Sequence, residues 1–66
     1  MRLITIENHT TTDKVVVNTD QIATIYNDNG IVVIKMANGL GLQTKFTDVD
    51  HAVDYIQRAS SFSFGQ

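Results

Sequence analysis

The fold is decided by residues 27–43, Asn27-Asp28-Asn29-Gly30-Ile31-Val32-Val33-Ile34-Lys35-Met36-Ala37-Asn38-Gly39-Leu40-Gly41-Leu42-Gln43. Six residues of strand character stand between two tight turns. Each turn closes on Asn-Gly, the pair that most readily reaches positive φ in hairpins. Along the strand Ile31 and Val33 point one way, and Val32, Ile34 and Met36 point the other. A strand apolar on both sides has to be covered twice.

Outward from this stretch the chain reads as a series of short strands. Residues 3–8 alternate, with Arg2, Ile4 and Ile6 on one face and Leu3, Thr5 and Glu7 on the other. A polar link, His9 to Asp13, leads to a β-branched strand at 14–18. Asn18-Thr19-Asp20-Gln21 carries turn chemistry. Residues 22–26 fit a strand with a bulge near Asp20, and 19–22 also allow one helical turn. The last strand is expected over 40–46, where Gly41 marks a bulge or a close backbone approach.

After that the period changes. Thr47-Asp48-Val49-Asp50 opens a helix with Thr47 as N-cap. Val49, Ala52, Val53, Ile56 and Ala59 form one apolar stripe of about three turns. Asp54 and Arg58, four apart, can pair. The fold expected is α+β: a small antiparallel β-meander of four to five strands with one C-terminal amphipathic helix across one face. Residues 1–60 form the domain, and 61–66 a flexible or edge-pairing tail.

Length and composition limit the function. With 66 residues and no cysteine, no disulfide or thiolate metal site can staple the chain. A domain this small buries only about 60% of its unfolded surface, so association is the remaining route to stability. A net charge of −2 argues against a nucleic-acid or anionic-membrane partner. No apolar run approaches the roughly 20 residues of a membrane span. A cytoplasmic location is expected from the absent cysteines and signal peptide.

The layout resembles the small FlbD-type proteins found around flagellar and swarming genes. Leu3, Asn18, Asp20, Ile22, Ile25, Ile34, Asn38, Gly39, Asp48, Val53 and Ile56 match that pattern, which spans nearly the whole chain. The chain departs from it in having Asn18-Thr19 where the family usually has Asn-Pro, and in its Phe-rich tail. The resemblance implies a non-enzymatic regulator or adaptor and carries over no catalytic residue. A similar run of strands occurs in the LytTR-type DNA-binding domain, which is longer and basic.

Candidate sites are few. Asp50, His51 and Asp54 can gather on one side of the helix as weak ligands for a hard cation, but acidic residues at a helix start serve the free N–H groups and the dipole equally well. Asn27-Asp28-Asn29-Gly30 is a hairpin turn and not a calcium loop, since Ile25 and Met36 would fall at ligand positions. No metal, cofactor or catalytic residue is assigned. A chain this short is expected not to enclose a pocket of about 300 Å³ without a partner, and no enzymatic activity is expected. The expected interface comprises Ile4, Ile6, Val32, Ile34 and Met36 on a sheet face, with Phe62 and Phe64 from the tail. It would serve a homo-oligomer or an unidentified protein partner. The alternative is a lysine stripe, Lys14, Lys35 and Lys45, binding nucleic acid beside an aromatic ring.

Overall fold

The computed structural model describes residues 2–11 and 13–62, the last two as backbone only. Its elements are β1 (Leu3–Glu7), β2 (Lys14–Asn18), a 3-10 turn (Thr19–Gln21), β3 (Ile22–Asp28), β4 (Ile31–Met36), β5 (Gly41–Gln43) and α1 (Val49–Phe62). The class is α+β. The strands divide between two antiparallel sheets, a β1–β2 ribbon and a β3–β4–β5 meander, where one meander was expected. The ends of the two sheets meet at a bridge between Asn8 and Thr44, flanked by His9 N–H donating to Gln43 O and Lys45 N–H to Glu7 O.

The turns follow their chemistry. Asn29 and Gly30 both take positive φ, 54° and 88°, as a two-residue hairpin with native twist requires. The Asn27 side chain accepts from Gly30 N–H and holds the corner. The second Asn-Gly differs, since only Gly39 is left-handed there. Its N–H donates to Met36 O, and Asn38 Oδ1 receives the N–H of Leu40.

The bulge in β3 lies at Ala23, between the pairs Ile22–Met36 and Thr24–Lys35, and not near Asp20. That extra residue sets Ile22 and Ile25 on the same face despite their odd spacing. The 3-10 turn before it is capped by Asn18 Oδ1, which accepts from Asp20 N–H. In β5 regular pairing stops at Gln43, short of the expected residue 46. Beyond it Val32 N–H donates to Phe46 O while Thr44 N–H donates to Val32 O, so the chain bulges there. Thr44, fully buried, is satisfied: its hydroxyl donates to Val32 O at 2.7 Å and accepts from Phe46 N–H.

The helix N-cap is Asp48, whose carboxylate accepts from His51 N–H at 3.0 Å, so Thr47 is not the cap. The helix runs through residue 62, two residues past the expected domain limit. Ala52 and Ile56 are buried, and Val49, Val53 and Ala59 are half-buried along the same stripe. Asp54 and Arg58 form the expected pair at 3.0 Å.

One core results. Ile4, Ile6, Val17, Ile34 and Ile56 form its centre, with Val15, Ile22, Ile25, Met36, Leu42, Phe46 and Ala59 packed around them. Ribbon, meander and helix all contribute, so the inner face of β4 is covered by two elements and not by the helix alone. The outer face of the meander carries Thr24, Tyr26, Asp28, Lys35 and Gln43 with a half-buried Ile31. Val33 is its one buried side chain, placed directly between Tyr26 and Gln43 on the neighbouring strands. A Cβ at Gly41 would meet Val33 Cγ1 at an ordinary 3.5 Å. The second greasy side expected from the sequence is therefore a largely polar surface.

Candidate interaction surface

The residues expected to form an interface are placed inside the molecule. Ile4, Ile6, Val32 and Ile34 are each 5% exposed or less, and Met36 is half-buried against the same core. These side chains are covered by the chain itself and offer no surface to a partner. Phe62 ends the helix, and Phe64 lies outside the described residues.

The large aliphatic side chains left outside are Leu3, Val16 and Leu40, at 52%, 63% and 67% exposure. They gather at one end of the molecule. Leu3 faces Asn18 and Thr5 faces Val16 across the ribbon, which puts Leu3 diagonal to Val16 on its outer face. Val16 and Leu40 line a common groove of about 280 Å³ with Val15, Val17, Met36 and Leu42. One wall of the groove is β2, the other is the β4–β5 hairpin. No signal in the alternation marked it, because the groove forms only when the ribbon folds over the meander.

The backbone of β2 sharpens this. Thr19 N–H donates to Arg2 O and Asn8 N–H to Asp13 O. Both bonds lie in the register that pairs Ile4 with Val17 and Ile6 with Val15, so those are the hydrogen-bonded pairs of the ladder. Lys14, Val16 and Asn18 alternate with them and direct N–H and C=O away from β1. Among the described residues no strand takes up that edge. β1 shows the complementary phase, because its own outward carbonyls at Thr5 and Glu7 are taken by Tyr55 Oη and Lys45 N–H.

The lysines do not make one stripe. Lys14 and Lys45 line a second, open cleft of about 460 Å³ with Thr5, Ile6, Glu7, Phe46 and Tyr55. Lys35 projects from the outer face of the meander, opposite Gly41. Glu7 stands directly across from Lys14 and lowers the local positive charge. The cleft lies open to solvent and is not an enclosed pocket of the kind the short chain was expected to lack. Its aromatic wall is structural: the Phe46 ring lies 5.4 Å from that of Tyr55 and 5.9 Å from that of His51.

The acidic residues at the helix start are already employed. Asp48 caps the helix and Asp54 pairs with Arg58. Among the described residues no three His, Cys, Asp or Glu side chains come together to hold a metal ion. No helix among them is long and apolar enough to cross a membrane. Comparison with known families, curated proteins and solved structures finds no match.

Proposed function

We propose that the chain is a small non-enzymatic protein-interaction module that works through the β2 edge and the groove beside it. The single observation behind this reading is the coincidence of Val16 and Leu40, both mostly exposed, with a strand edge that no other described strand pairs. An added strand gains main-chain bonds from such an edge and specificity from the side-chain pockets next to it. Here the backbone of Lys14 and Val16 would supply the bonds, and Met36, Leu40 and Leu42 the apolar seat. The FlbD-type resemblance implies the same class, a regulator or adaptor.

A photo-crosslinking residue placed at Val16 or Leu40 tests this in the protein's own cells. Adducts with a polypeptide chain, this one or another, are expected from both positions and not from Gln57 on the helix. Equal crosslinking from all three positions would contradict the reading.

A further inference from the structure

Resting on that reading, we infer that the polypeptide taken up by the β2 edge is β2 of a second copy, paired antiparallel about a two-fold axis that passes between the two Val16 residues. The edge is its own complement. With Val16 opposite Val16 of the second copy, Lys14 faces Asn18 and Val15 faces Val17. The residues whose N–H and C=O point outward then meet each other in phase, and each such pair exchanges two bonds. A two-fold contact of this kind is isologous and closes at the dimer.

Charge selects the direction. The basic residue of β2, Lys14, stands at its start, while Asp20 follows just beyond its end. Antiparallel pairing lays each Lys14 beside Asn18 of the second copy, next to the 3-10 turn that carries Asp20. Parallel pairing would set Lys14 on Lys14. The side-chain rows agree: Val15 and Val17 of the incoming strand would lie toward Met36, Leu40 and Leu42, and its Val16 would lie beside Val16 on the outer face.

The edge is also undefended. Natural edge strands are blunted by bulges, prolines or charges at their centre. β3, the outer strand of the meander, has its bulge at Ala23 and ends on Asp28. β2 is a regular five-residue strand with three valines at its middle.

Sedimentation equilibrium from micromolar to millimolar protein tests the pairing. The full chain is expected to form a dimer and nothing larger. Val16→Lys should remain folded by circular dichroism, because the side chain it replaces is mostly exposed, and should lose the dimer. Lys14→Glu should weaken the dimer about tenfold, and Lys14→Glu with Asp20→Lys should restore it. A wild-type chain that stays monomeric at millimolar concentration overturns the pairing. So does a dimer that survives Val16→Lys. If the monomeric chain still crosslinks to a different polypeptide from Val16, the self-pairing alone has failed. If it crosslinks to none, the interaction reading fails with it.

Discussion

The Tyr55 hydroxyl donates to the carbonyl oxygen of Thr5 over 2.6 Å, joining residues 50 positions apart. It meets β1 where the ribbon leaves the meander and a carbonyl would otherwise lack a strand partner. Helix and ribbon are thus tied at the seam of the two sheets. Tyr55→Phe keeps the ring against Phe46 and removes only the donor. The expected loss is about 1 kcal/mol, the net worth of such a bond. In a domain of this size that lowers Tm by about 4–8 °C. Thermal denaturation followed by circular dichroism reads it directly.

Ile34 is fully buried at the centre of the core, whereas Leu40 stands mostly in solvent. Ile34→Ala should cost about 2–5 kcal/mol. That rivals the roughly 3–5 kcal/mol that so small a core supplies, so much of the protein should be unfolded in buffer. Leu40→Asp should stay folded and lose association. Urea titration of the two variants separates a core position from a surface one.

Two adjacent residues compete for the helix cap, and the structure gives it to Asp48. Asp48→Ala should destabilise the protein by about 1 kcal/mol, the usual cost of losing a capping side chain. Thr47→Ala should change stability by less than about 0.5 kcal/mol, as surface substitutions generally do. A larger loss from Thr47→Ala than from Asp48→Ala would return the cap to Thr47.

Gly30 sits at φ 88°, and a Cβ built there meets nothing within 4 Å. Gly30→Ala therefore isolates the backbone cost of a left-handed L-residue, about 1–2 kcal/mol. Denaturant unfolding of the variant should show that loss with an unchanged slope.

What the residues disclosed beforehand was mostly local. Asn29-Gly30 announced its hairpin, residues 31–36 their strand, and Val49, Ala52, Val53 and Ile56 the buried stripe of α1. The cap was missed by one position because Thr47 and Asp48 are both good cap formers and spacing cannot choose between them. The bulge was misplaced, although Ile22 and Ile25, an odd interval apart in β-type sequence, carried a trace of it. The burial of the residues expected at an interface was missed for a topological reason. Counting lids for a flat sheet gave one helix for two apolar faces, whereas the β1–β2 ribbon folds onto the inner face beside the helix and the outer face stays uncovered. That fold puts Ile4, Ile6, Val32 and Ile34 inside and leaves Val16 and Leu40 out. Whether a strand edge is taken depends on pairings remote in sequence, and alternation does not record them.

Amide hydrogen exchange at β2, read residue by residue at low and high protein concentration, tests the central claim most directly. Val15 and Val17 N–H bond to β1 and should be protected at both concentrations, while Lys14 and Val16 N–H point to the open edge. If β2 pairs with a second copy, Lys14 and Val16 gain protection as concentration rises, and the Asp28–Ile31 turn does not change. Fast exchange at Val16 at every concentration, or protection there that ignores concentration, would contradict the account.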